Sequence, residues 1–322
     1  MPCTAANALC AERVPVGPSI FLPVFSTHSV LKGDTSVTRG LIVIHGTNRN
    51  ADDYFESGFL AAAEAGELER TVVVAPHFQT RMDGPAEDEP YWTHQGWKRG
   101  NLSQSAPPSA RRSSCAALDS VVAHLADRTR FPALTEIVVT GHSAGGQVVH
   151  RYAATSRVPE RHPQHLFRYV VANPSTYLYV RPERAVADTF AVPDTTTCPD
   201  YDDWHYGLRN RNTYAGALEA DSIVAQLVRR DVRILLGDAD SLSANLDTSC
   251  GAMLQGPYRF ARGRRLVRFM DVFFEARHHH KEMVVPGVGH SSRQMWLSEV
   301  GREALFGHGG AGSFEGDLQP FP

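Results

Sequence analysis

Ile137-Val138-Val139-Thr140-Gly141-His142-Ser143-Ala144-Gly145-Gly146-Gln147 is the stretch that decides how this 322-residue chain is read. A β-branched run leads into G-x-S-x-G, and Gly146 to Ala154 continues it with a helical pattern. The spacing predicts a strand, a sharp turn and a helix. A serine at such a turn occupies strained backbone, and side chains two places before and after it would strike the neighbouring strand and helix. Gly141 and Gly145 remove those side chains. The turn lifts the hydroxyl of Ser143 above the sheet edge, at the positive end of the next helix, where developing negative charge is favoured. A bare pentapeptide of this kind arises by chance, as a glycine-rich turn with an incidental serine. The flanking strand and helix patterns carry the weight here.

Outward from that point, apolar runs and helical stretches alternate, which predicts a mainly parallel sheet covered on both faces. Ser19 to Val30 reads as a first strand or hairpin, Leu41 to Ile44 as a short buried strand and Tyr54 to Ala65 as a helix. Thr71 to Ala75 is the next strand, and a helix from Ser113 to Leu125 precedes the strand into Ser143. Tyr169 to Ala172 is a strand, Leu218 to Arg229 a helix, Val232 to Leu236 a strand and Glu282 to Val285 the last strand. Between Asn173 and about Gly216 the pattern gives way to Pro, Thr, Asp, Tyr and Trp. A long irregular segment inside a compact domain is usually functional or disordered, and its aromatics argue against disorder. We read 174–216 as a cap inserted into a single domain spanning 1–322, and 308–322 as a loose, glycine-rich tail.

A serine hydroxyl is a poor nucleophile without a base, and the base needs an orienting acid. Each later strand ends in a suitable residue. The run through Leu236 ends in Gly237-Asp238-Ala239-Asp240, and the last run ends in Pro286-Gly287-Val288-Gly289-His290. Both would project from the carboxyl edge of the sheet, where ligands bind in open α/β sheets. A histidine in a loop is usually a solvated surface group; the terminal G-V-G-H downstream of Ser143 makes His290 the general-base candidate. Asp240 is the first choice for the acid, because the carboxylate must clear the strand end to reach an imidazole. Asp238 is a close competitor with an alternative role as turn cap, and Asp247 a third.

With these motifs in chain order, the sequence resembles the α/β-hydrolase superfamily from about Leu41 to His290, as a serine esterase or lipase-like member with a cap insertion. The resemblance implies the α/β-hydrolase fold and a cofactor-free acyl transfer. Ser143 would attack a carbonyl, His290 shuttle the proton and Asp240 orient the imidazole. The oxyanion would be held by the amide of Ala144 and by that of Thr47, in the Ile44-His45-Gly46-Thr47 loop. That loop also reads as an ordinary strand-to-helix turn, and the two readings are compatible. The extended H-G-G-G loop of one esterase branch is missing, so the substrate is left open. Amide or peptide cleavage by the same triad is the enzymatic rival, and a non-catalytic binding protein on the same fold is the rival outside enzymes.

Aromatic and polar side chains near the motifs (Tyr54, Trp92, Trp97, His142 and Trp204) are the candidate substrate-binding residues. They would wall an acyl or aromatic pocket, or else the rings simply anchor a long loop. His45 and the His278-His279-His280 run invite a metal reading. Consecutive histidines point in alternating directions, and a solvated run is the better explanation, so no metal is expected.

Composition bounds the remainder. A 42% hydrophobic and 21% charged chain of formal net charge -3 is that of an ordinary soluble globular protein and offers no electrostatic reason for a nucleic-acid partner. A small-molecule ester or acyl compound is the partner expected. No apolar stretch is long enough for a transmembrane segment. Ala6-Asn7-Ala8 has the look of a signal-peptidase site without an apolar core before it, so the compartment, cytoplasmic or secreted, is left open. Of the five cysteines, Cys115 falls in a helix as a small buried hydrophobe and Cys3 and Cys10 lie in the irregular start. Cys198 and Cys250 fall in loops near the site, either disulfide-bonded, which would favour secretion, or as two free thiols.

Overall fold

Eight strands form the central sheet, and their burial follows from their sequences. Ala11–Gly17 (β1) and Ile20–Ser26 (β2) make an antiparallel hairpin in which Val14, Leu22 and Val24 alternate inward. Arg39–Ile44 (β3), Thr71–Pro76 (β4), Glu136–His142 (β5), Leu166–Ala172 (β6), Asp231–Gly237 (β7) and His280–Val285 (β8) follow. The spatial order is β1-β2-β4-β3-β5-β6-β7-β8. Only the hairpin and its junction with β4 are antiparallel; every pairing from β4 to β8 is parallel. This is the α/β-hydrolase fold. It is seen in a computed structural model that describes residues 1–105 and 107–307; the tail expected over 308–322 lies outside them. Among the described residues no helix is long and apolar enough to cross a membrane.

Because side chains alternate along a strand, each parallel strand feeds two cores. Ile42, Ile44, Val72 and Val74 face one of them, under Ser114–Leu125 (α2), Ala144–Thr155 (α3), Ala220–Arg229 (α4) and Arg259–Phe274 (α5). Leu41, Val43, Val73 and Ala75 face the other, under Ala51–Glu64 (α1), Ser292–Leu297 (α6) and Glu299–Phe306 (α7). At the amino edge of the sheet, arginines from three parallel strands reach the end of α7. Arg39 donates to the carbonyl of Phe306, Arg168 to that of Leu305, and Arg233 to those of Glu303 and Ala304. Carbonyls at a helix C-terminus lack partners and carry partial negative charge, so guanidinium groups there satisfy both needs.

Three departures from the sequence expectations concern this scaffold. The first hairpin starts at Ala11, ahead of the expected Ser19. The 16-residue helix α5 occupies a stretch the pattern left unassigned, because two of its buried positions are arginines, Arg259 and Arg262. The histidine run is not a solvated string: His279 is exposed, but His280 opens β8 and is buried beside His150.

Candidate active site

Parallel pairing brings the carboxyl ends of β3, β5, β6, β7 and β8 to one edge. Ser143 leaves β5 with φ 59° and ψ -118°, left-handed backbone that costs energy for a residue with a Cβ. The glycines explain why the turn closes. A Cβ on Gly141 would lie 2.4 Å from the carbonyl carbon of Gly145, and one on Gly145 would lie 2.1 Å from the carbonyl oxygen of Ile44. The amide of Ser143 donates to the Ala172 carbonyl at 2.9 Å, fixing the turn to β6.

Ser143 Oγ lies 2.9 Å from His290 Nε2, and His290 Nδ1 lies 2.6 Å from Asp240 Oδ2. Asp240 is fully buried, whereas the imidazole retains 23% exposure. The carboxylate is not left alone in the interior: Arg259 Nη1 stands 3.4 Å from Asp240 Oδ1, and the same guanidinium donates to the carbonyls of Leu242 and Ala244. Asp238, the competing acid, is exposed and accepts the amide of Gly287 at 2.7 Å, a turn-capping role. Asp247 accepts from Tyr206 Oη and from the Ser249 amide, away from His290. Asn173, which sequence reading passed over, ties the pieces together. Its Oδ1 accepts from the Gly237 amide at the end of β7, and its Nδ2 donates to the Gly289 carbonyl beside His290.

Ala144 holds the first position of α3, where the helix itself cannot satisfy the amide. Thr47 follows β3 in a turn closed by the Arg49 amide on the Gly46 carbonyl. Gly46 leaves room there for Tyr54, since a Cβ would sit 2.5 Å from Tyr54 Oη and the ring would have to shift. His45 is an interior residue: its Nε2 accepts from the Phe78 amide, so Nδ1 carries the proton toward the Gly46 carbonyl. Burial, with His77 nearby, pushes His45 down to about 3, and it stays neutral.

The candidate pocket residues fall in different places. Trp92 and Trp97 are buried in the core; Trp92 donates to the carbonyls of Asn101 and Arg112, and Trp97 stacks on Phe78 and packs at a tilt against His45. Tyr54 is buried behind the site, its hydroxyl 3.3 Å from Nδ1 of His142. His142, also buried, places its ring 4.4 Å from that of His290, and burial next to His290 holds it well below the usual histidine range. Trp204 is half-buried and donates to the Arg99 carbonyl. The cleft that opens beside Thr47 is polar, about 410 Å³, and its walls include Lys98, Arg99, Gln147, His205 and Asp247. Part of its wall, His205 and Tyr206, comes from the irregular segment after β6.

Cys198, in that segment, is disulfide-bonded to Cys250, next in the chain to Ser249 of the cleft wall. Cys3 and Cys10 form a second disulfide that sequence reading had left unpaired, and Cys115 is a free buried thiol.

No known family profile and no curated protein matches the sequence. Among solved structures, the chain is similar to poly(aspartic acid) hydrolase-1 from Sphingomonas sp. KT-1, with a TM-score of 0.62 at 23% identity, covering 88% of this chain and 94% of that one. It is also similar to LpqC, a poly(3-hydroxybutyrate) depolymerase from Bordetella parapertussis, with a TM-score of 0.60 at 21% identity, covering 88% and 86% respectively. These likenesses agree with the strand order and place the chain in the α/β-hydrolase fold.

Proposed function

We propose that this protein is a serine hydrolase that cleaves carboxylic esters through an acyl-enzyme. The observation that carries the reading is the hydrogen-bonded chain from Ser143 Oγ to His290 Nε2 and from His290 Nδ1 to Asp240 Oδ2. Ser143 attacks the ester carbonyl while His290 Nε2 takes its proton, and the ionised Asp240 stabilises the imidazolium. The amides of Ala144 and Thr47 donate to the oxyanion. His290 then returns the proton to the departing alkoxide, which leaves as the alcohol. Water, deprotonated by the same imidazole, attacks the acyl-enzyme, and the imidazolium returns that proton to Ser143 Oγ as the acid leaves. The 174–216 segment acts as a cap that walls the cleft. The strained backbone at Ser143 supports this reading over a binding protein, which has no use for such a cost.

A fluorophosphonate probe should label the wild-type protein and fail on Ser143→Ala. p-Nitrophenyl esters should be turned over much faster than matched anilides. Labelling that survives Ser143→Ala removes Ser143 as the nucleophile, and anilides cleaved as fast as esters would make this an amidase.

A further inference from the structure

We propose that the cleft beside Thr47 is an anion subsite, so that the ester substrate carries a carboxylate or comparable anionic group within reach of Lys98. The inference rests on the ester-hydrolase reading above and names the substrate class for that same site.

Lys98 is only 7% exposed, and its ammonium meets Thr47 Oγ1 at 2.9 Å and His94 Nε2 at 3.3 Å, both uncharged acceptors. Among the described residues it has no carboxylate partner. Arg151, fully buried beneath, is likewise without one. It donates to the carbonyls of His205 and Lys98, to Thr176 Oγ1 and to Gln147 Oε1. Gln147 Oε1 also accepts from Thr176, which leaves the Gln147 amide NH2 on the cleft wall without an acceptor among the described residues. Arg99 lines the same cleft, and its guanidinium forms no ion pair among the described residues. The one carboxylate in the wall, Asp247, already has Oδ2 on Tyr206 Oη and Oδ1 on the Ser249 amide.

Burying cations without anions is costly, and proteins normally pair them. Here a lysine, an arginine and a free amide converge on one cleft that begins at the turn carrying Thr47. A substrate anion completes the set, with charge-assisted bonds to Lys98 and Gln147. Burial, together with Arg99, Arg151 and Arg49 and only partly offset by Asp247, holds the Lys98 ammonium down at about 8.

Two ester pairs test this, one with the charge on the acyl side (p-nitrophenyl hydrogen glutarate against p-nitrophenyl pentanoate) and one with it on the alcohol side (4-acetoxybutanoate against butyl acetate). In at least one pair the anionic ester should have the higher kcat/KM, by about tenfold. The ratio should fall toward one in Lys98→Met, be largely restored in Lys98→Arg, and shrink several-fold in 0.5 M salt. A lysine that merely braces the Thr47 turn would lower both members of a pair equally and leave the ratio alone. Independently of turnover, monomethyl glutarate should bind Ser143→Ala in a calorimeter more tightly than methyl pentanoate does, and lose that advantage when Lys98→Met is added. Neutral esters cleaved through Ser143 with no anionic preference in either pair would overturn the subsite while sparing the hydrolase reading. No ester turned over, with monomethyl glutarate still preferred, would overturn the hydrolase reading and keep the subsite. Equal binding of monomethyl glutarate and methyl pentanoate, or a ratio unmoved by Lys98→Met, also overturns the subsite.

Discussion

At the scale of single residues, the two aspartates after β7 show how little sequence separation decides a role. Asp240 is fully buried against His290 and Arg259; Asp238, two residues earlier, stands in solvent and caps the Gly287 turn. On the ester-hydrolase reading, Asp240→Asn leaves His290 without an anion to fix its tautomer and stabilise its charge. Turnover of p-nitrophenyl esters should then fall by about 10⁴. Asp238→Asn keeps an oxygen for the Gly287 amide and should change kcat/KM by no more than a few-fold. The reverse ranking would hand the orienting role to Asp238. Arg259 is the residue that makes a buried Asp240 tolerable, and nothing local in the sequence singles it out.

Among the elements, the segment after β6 is tied covalently to a distant part of the chain. Cys198 and Cys250 are 52 residues apart in the chain, and the loop they close contains α4 and β7. Closing a loop of that length in the unfolded chain is worth about 4 kcal/mol in the chain-entropy account. A Cys198→Ser, Cys250→Ser variant should lose about 2–4 kcal/mol in urea unfolding. Since Cys250 follows Ser249 in the cleft wall and the bond ties it to the segment that supplies His205 and Tyr206, KM should rise more than kcat falls. Unchanged stability and unchanged KM in that variant would show that the segment is held by its buried contacts alone, such as Tyr179 against Phe269.

Over the whole molecule, the interior carries histidines that can only be neutral. His45 and His150 are buried, and desolvation pushes each down to about 3; burial also lowers His205 and His280. In the unfolded chain a histidine titrates near 6.5. Between those values the unfolded chain binds protons that the folded protein refuses, so stability is complete above about pH 6.5 and declines as the pH falls toward 3. Each such histidine contributes a slope of up to about 1.4 kcal/mol per pH unit. Urea unfolding at pH 7.5 and at pH 5 should differ by several kcal/mol, and His150→Gln should shrink the difference. Stability that is flat over that range would mean these rings are hydrated in solution.

How much of this was written in the sequence follows from the range of the forces involved. The strands from β3 to β8, the strained serine turn and the chain order Ser143, Asp240, His290 were legible because β-branched runs and glycine spacing act locally. The role of the aromatic cluster stayed open because Trp92 and Trp97 look the same in sequence whether they wall a cleft or fill a core. Helix α5 and the polar cleft were missed because Arg259, Arg262, Arg151 and Lys98 are residue types that belong in water unless distant carbonyls and side chains receive them. Local chemistry alone set the elements and the candidate site residues at their ends. Which carboxylate meets the imidazole, and which cations are left facing the cleft, depended on partners tens to more than a hundred residues away, and only the packed molecule brings those together.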